Sequence, residues 1–113
     1  MTGSRRSSCP VACTLDLIGD RWTLVVVRDL LFGKTRFAEL LESPEGIATN
    51  ILADRLHRLE EAELVERIPS ETHRARGSYR LTLRGESLRP VLKAVMTWGL
   101  AHLPGTRMPS PPR

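Results

Sequence analysis

The sequence predicts a mainly α-helical fold carrying one small β-hairpin, and three observations predict it. Leu52, Leu56 and Leu59 recur at i, i+4 and i+7, an apolar stripe at the period of an α-helix. Directly after them, Leu64-Val-Glu-Arg-Ile68 alternates as a strand does, and a second short segment, Ser78 to Leu81, can pair with it. Between Arg67 and Arg84 stand five Arg against Glu71 alone, whereas residues 36–66 hold eight acids and three Arg. Helix, strand, basic loop and strand is the order of a winged helix-turn-helix, and a localised basic patch is the electrostatic footprint of a phosphate-binding surface.

At 113 residues the chain is expected to form one domain. Apolar residues make up 41% and aromatics only 4%, so the core must be aliphatic. The net charge of +4 is compatible with nucleic-acid binding without demonstrating it. No apolar stretch follows Arg5 and Arg6, and no run approaches the ~18 apolar residues of a membrane span. The expected setting is cytoplasmic with no membrane partner, and Cys9 and Cys13 are then reduced thiols rather than a structural disulfide.

In chain order, residues 1–8 read as a flexible basic arm, residues 9–103 as the winged helix-turn-helix domain, and residues 104–113, with four Pro, as a disordered tail. Pro10 suits the first turn of a helix marked by Val11, Leu15 and Ile18 and ended by Gly19. Asp20 is an N-cap for a second helix from about Arg21 to Phe32. That helix is apolar nearly all round, so it must be central, with Trp22 as a core anchor. Thr35 caps a short helix, Arg36 to Leu41, and Ser43-Pro-Glu-Gly46 is a turn. The helix of the leucine stripe follows, then the hairpin, whose tip spans residues 69–77. Thr82 caps a last helix from Leu83 to about Leu103, with Leu88, Val91, Leu92, Val95 and Trp98 along one stripe. That stripe exceeds what a small domain can cover and predicts pairing with a second copy.

Taken together, the residues resemble the HxlR-type transcriptional regulators, within the MarR-like winged-helix proteins. The resemblance rests on Cys9-Pro-Val, Leu15-Asp-Leu-Ile-Gly-Asp-Arg-Trp22, Arg28-Asp-Leu-Leu-Phe-Gly33, Arg36-Phe-Ala-Glu-Leu40, Leu52-Ala-Asp-Arg-Leu56, Leu59-Glu-Glu-Ala62, Leu64-Val-Glu-Arg67 and Tyr79-Arg-Leu-Thr-Leu-Arg-Gly85, in family order. It implies a homodimer built on the first and last helices, with Leu15, Leu88, Val91, Leu92, Val95 and Trp98 at the interface. It also implies binding to a double-stranded, inverted-repeat operator, repression of a neighbouring gene, and control by a small molecule or an oxidant, with no cofactor. In several members the cysteine before Pro-Val senses electrophiles or oxidants, and here that position is Cys9, with Cys13 one helical turn on.

Three departures carry expectations of their own. Ala48 stands where the family has a capping Ser, so Thr49 is expected to take the cap and move the helix start by one residue. Glu63 stands where the family has Gly; a left-handed cap costs Glu about 1 kcal/mol, which predicts a different helix end. The wing tip, His73-Arg74-Ala75-Arg76, is basic where the family usually has prolines.

The second helix of a helix-turn-helix enters the major groove, and its N-terminal residues reach base edges. Thr49, Asn50, Asp54 and His57 are therefore the base-reading candidates. Asn hydrogen-bonds adenine bidentately, and Asp accepts from cytosine N4. Arg36, Arg74 and Arg76 are phosphate candidates, and Arg55 is either a phosphate contact or an internal ion pair. Two thiols with distant His57, His73 and His102 make a poor metal site, and no Gly-rich phosphate loop or nucleophile elbow points to an enzyme. The competing class is a winged-helix protein-interaction module that does not read DNA sequence; the wing arginines argue against it.

Overall fold

The computed structural model describes residues 6–71 and 77–109. Pro10 opens α1 (Pro10–Ile18), where its missing N–H costs nothing, and Gly19 closes it by donating its N–H to the Leu15 carbonyl. The N-cap of the next helix is Trp22, two residues beyond the expected Asp20, whose carboxylate still supports the helix start by accepting from the Trp22 N–H (3.0 Å) and the Thr23 hydroxyl. The helix itself, α2 (Thr23–Leu31), starts two residues later than the sequence suggested. Gly33, at φ +104°, ends it in a Schellman motif in which the Lys34 N–H reaches the Asp29 carbonyl at 3.0 Å. Val26, Val27 and Leu30 are buried, and α2 meets α3, α4, β2 and α6, so it is the central helix.

The N-cap of α3 (Phe37–Leu41) is Arg36, not Thr35. The Glu39 carboxylate fixes that start by accepting from the N–H groups of Thr35 (3.1 Å) and Arg36 (2.9 Å). Both expectations about the ends of α4 (Thr49–Glu61) are corrected. Ala48 remains the N-cap without a side-chain hydrogen bond, and Thr49 is the first helical residue. At the other end Glu63 takes the left-handed conformation itself, at φ +62°. The Glu63 N–H reaches Glu60 (3.0 Å), the Leu64 N–H reaches Leu59 (2.9 Å), and the Thr82 hydroxyl donates to the Glu63 carbonyl (2.7 Å). Burial of Leu64 beside Leu59 completes the motif. These contacts hold Glu63 in a conformation its side chain disfavours.

The wing strands β1 (Val65–Ile68) and β2 (Ser78–Leu81) pair antiparallel, Val65 opposite Leu81 and Ile68 opposite Ser78. The sequence did not announce a further tie: the Tyr79 N–H donates to the Thr35 carbonyl (2.8 Å), and Ser78 bridges Arg36. The wing is thereby stitched to the start of α3.

The single last helix expected from Leu83 to Leu103 is two: α5 (Leu83–Glu86), capped by Thr82, and α6 (Arg89–His102). Pro90 has no N–H for the Glu86 carbonyl and its ring clashes with that carbonyl, so the helix breaks there. Gly85 sits in the tight join; a Cβ on it would lie 2.0 Å from the Leu64 carbonyl oxygen. In the tail, the Thr106 hydroxyl contacts the Gly99 (3.1 Å) and Leu103 (2.8 Å) carbonyls, and Arg107, Met108 and Pro109 fold back toward α2. In the arm, Arg6 pairs with Asp16 of α1 at 2.6 Å. The remainder of both segments, residues 1–5 and 110–113, lies outside the described residues.

Replacing Glu63 by Gly should raise the unfolding free energy by about 0.5–1 kcal/mol, because a left-handed site strains any residue with a Cβ. Urea unfolding checks this; an unchanged or lower midpoint would mean that the cap costs nothing.

Candidate nucleic-acid interface

The outward side of α4 is set by what its inward side buries. Leu52, Leu56 and Leu59 are fully packed, which turns Thr49, Asn50, Asp54 and His57 to the exposed surface. Because Ala48 offers no side-chain acceptor, the first-turn N–H groups have no side-chain cap. An open helix N-terminus carries positive partial charge and directs N–H donors at any anion placed there. Thr49 and Asn50 stand at that opening.

The charged neighbours divide differently from the sequence expectation. Arg55 is only 16% exposed and its Nε donates to Asp20 Oδ2 at 2.7 Å, so the ion-pair alternative is the one formed here. Burial pushes the Asp20 carboxyl up, but Arg55, the Thr23 hydroxyl and the Trp22 amide together hold it down at about 2. Asp54 is engaged as well: its Oδ2 lies 2.5 Å from Arg55 Nη1 and 3.3 Å from Arg58 Nε. Accepting from a cytosine would require Asp54 to leave these guanidiniums, whereas Thr49 and Asn50 have no side-chain partner among the described residues. His57 lies 3.6 Å from Glu61 one turn on. Ala53, exposed between Asn50 and His57, was missed because a small apolar residue gives no polar signal, although such a side chain can meet a thymine methyl.

Arg36 is exposed at the N-cap of α3 and, with Pro69, Ser70 and Gly77, lines a cleft at the base of the wing. Arg74 and Arg76 lie outside the described residues. In β2, Arg80 is paired across the strands with Glu66.

The Ser43–Gly46 turn, which reads in the sequence as punctuation only, is held by a clamp. Arg28 on α2 donates twice to Glu45, at 2.8 Å each, and also contacts Asp29 at 2.9 Å. Asp29, buried, accepts from the buried Ser43 hydroxyl. Glu45, and after it Asp29, raise the Arg28 pKa further above its ordinary value, while Arg28 lowers that of Glu45. The turn between α3 and α4 is thus bolted to α2. The available signal was the Arg28-Asp29 pair inside an otherwise apolar helix.

Away from the α4 face, α1 buries only Ile18 and leaves Val11, Leu15 and Leu17 exposed. On α6, Val91, Val95 and Trp98 are exposed, and the Trp98 ring lies 4.6 Å from that of His102. Leu88 and Leu92 do not share this face: Leu92 is buried and Leu88 packs against the core of its own protomer. Cys9 is exposed at the N-cap of α1, where the Ala12 and Val11 amides lower its thiol pKa. Cys13 is half-buried and its Sγ donates to the Ser7 carbonyl at 3.2 Å.

The sequence profile described as HxlR-like helix-turn-helix matches residues 17–107. An uncharacterised HTH-type transcriptional regulator of Mycobacterium tuberculosis is 38% identical over 94 residues, covering 83% of this chain and 59% of the relative. The chain therefore spans less than two thirds of that protein's length. The crystal structure of PA1607 superposes with a TM-score of 0.81 at 41% identity, covering 96% of this chain and 76% of that one. The redox regulator HypR in its oxidised form superposes with a TM-score of 0.75 at 30% identity, covering 89% of this chain and 100% of that one.

The Asp20–Arg55 pair generates a pH prediction. The folded carboxyl titrates at about 2, below its ordinary 3.8, so its stabilisation is full above that ordinary value and is lost as pH falls toward 2. Asp20→Asn should lower stability at pH 7 by about 1–3 kcal/mol, as expected for charge-assisted hydrogen bonds. It should also flatten the stability profile between about pH 4 and pH 2. Thermal unfolding across that range checks both; equal slopes in the two proteins would remove Asp20 as the acid-sensitive group.

Proposed function

The chain belongs to the HxlR-like helix-turn-helix family, and on that premise we propose that it is a DNA-binding transcriptional regulator acting as a homodimer on an inverted-repeat operator. One observation carries the reading: α4 is locked inward by Leu52, Leu56 and Leu59, while Thr49 and Asn50 stand exposed at an uncapped helix start. This is the geometry of a helix that offers its N-terminal turn to a groove. Arg36 lies beside the wing base, where it suits a flanking phosphate.

The homodimer is supported by α1 and α6. Each presents apolar residues left exposed by the other described residues: Val11 and Leu15 on one, Val91, Val95 and Trp98 on the other. Two copies joined through these helices would carry two α4 helices related by a twofold axis, which requires a palindromic site. Repression of a neighbouring gene follows from the family reading alone.

Selection of bound DNA from a random library with the purified chain tests the proposal; enrichment of an inverted repeat is the expected result, and no enrichment overturns it. On the selected DNA, Arg74→Ala and Arg76→Ala should each flatten the slope of log affinity against log salt by about one unit. Asn50→Ala should relax discrimination at one base pair, at a cost of about 1–3 kcal/mol.

Oxidant control rests on Cys9, exposed and thiolate-prone at the start of α1, and on the similarity to HypR. Diamide accepts the two electrons and two protons released as two thiols join in an S–S bond. Treated wild type should change its DNA affinity with Cys9 found in a disulfide by mass spectrometry, and Cys9→Ser should not respond. Unchanged DNA binding by the oxidised wild type removes this mode of control.

A further inference from the structure

We propose that α4 reads A·T pairs and no guanine in the major groove: Asn50 takes an adenine edge, Ala53 a neighbouring thymine methyl, and Asp54 withholds the guanidinium that would otherwise read guanine. This rests on the DNA-binding reading and names the bases that reading leaves open.

Three exposed residues lead the outward face of α4: Thr49, Asn50 and Ala53. Neither Thr49 nor Asn50 has a side-chain partner among the described residues. The Asn50 amide presents a donor and an acceptor side by side, which matches adenine N7 and N6. Ala53 follows it by three residues, on the same face and about 4.5 Å along the axis. Base pairs step by about 3.4 Å, so the two side chains address neighbouring pairs. A bare methyl is the wrong chemistry for the polar edge of a G·C pair and the right one for the C5 methyl of thymine. The Thr49 hydroxyl serves either pair and selects neither.

Guanine is read most often by Arg or Lys, through O6 and N7. α4 carries two arginines and no lysine. Arg55 is committed to Asp20 at 2.7 Å. Arg58 is exposed, and its Nε lies 3.3 Å from Asp54 Oδ2. An exposed pair of that kind is weak and would not by itself keep Arg58 from a guanine. The carboxylate does: Arg55 Nη1 pins Asp54 at 2.5 Å, so the negative charge stays on the face even when Arg58 swings away. Guanine offers only acceptors to the major groove, and a pinned carboxylate repels them. His57 turns its Nε2 toward Glu61, 3.6 Å away and one turn farther from the helix start.

The test takes the half-site that the full chain enriches from a random library and changes single base atoms in it. Deoxyuridine for thymine removes the methyl and should weaken wild type about threefold to fourfold, while Ala53→Gly should bind the two DNAs alike. The ratio of the two affinities is what is read, so any loss of helix stability in the variant cancels. 7-Deazaadenine for adenine removes the N7 acceptor and should weaken wild type about fivefold, with no effect on Asn50→Ala. Losses equal in wild type and variant overturn both assignments. A second selection with Asp54→Ala should enrich a guanine in each half-site that wild type does not select. An unchanged motif overturns the role of Asp54, and a guanine selected by wild type but not by Arg58→Ala overturns the proposal outright. All four substitutions lie at exposed positions and leave the buried leucines of α4 in place. An enriched motif without these responses sinks the base assignment and leaves the DNA-binding reading intact; no enriched motif sinks both.

Discussion

The packing of α4 on α2 is the constraint on which the rest depends. Leu52 and Leu56 meet Val26, Val27 and Leu30 in one core, with Val27 and Leu52 both at 0% exposure. Both ends of α4 are unfavourable. An N-cap Ala in place of Ser costs about 1 kcal/mol, and a left-handed Glu costs a similar amount. Burial of three leucines contributes about 1.5–3 kcal/mol each, so the stripe outweighs both ends together. The helix is held by its middle, which leaves its first turn free to remain without a cap.

Apolar packing fixes where α4 lies but only weakly fixes its rotation and its approach. Those are set by polar contacts that all return to α2 and the turn before it. Arg55 on α4 reaches back to Asp20, which also starts α2, and Arg28 and Asp29 on α2 hold Glu45 and Ser43 of the turn leading into α4. Desolvation offsets part of the attraction in partly buried ion pairs of this kind, although removing one partner is costly because the other is left uncompensated. Their geometric demand is strict, and a bidentate guanidinium accepts one arrangement of its carboxylate. They therefore act on the aim of the helix as well as on its free energy.

This division explains what was legible in the sequence. The leucine stripe, the all-apolar central helix, the hairpin and the helix starts near Asp20 and at Thr82 each follow from local period and chemistry, and the fold class followed from them. Features that depend on distant partners did not show. The choice at Arg55 between a phosphate and an ion pair turned on Asp20, 35 residues away. The left-handed Glu63 survives because the Thr82 hydroxyl and buried Leu64 hold it, neither of which a propensity can register. Pro90 was visible, and the break it makes at Ser87–Leu88 should have outranked the apolar period that ran through it. That break also turns Leu88 and Leu92 inward, away from the exposed stripe of Val91, Val95 and Trp98.

What α1 and α6 leave unfinished bears on how a signal could reach α4. Asp20 follows α1 by two residues, supports the start of α2 and holds Arg55, so one carboxylate joins three helices. Arg28 likewise joins the cleft beside α6 to the turn before α4. Asp20 meets the side of α4 through Arg55, and Arg28 meets the approach to α4 through Glu45. The two routes meet α4 at different points through different ion pairs. Because both pairs lie at the edge of the aliphatic core and not within it, either can rearrange while Leu52, Leu56 and Leu59 keep the helix packed.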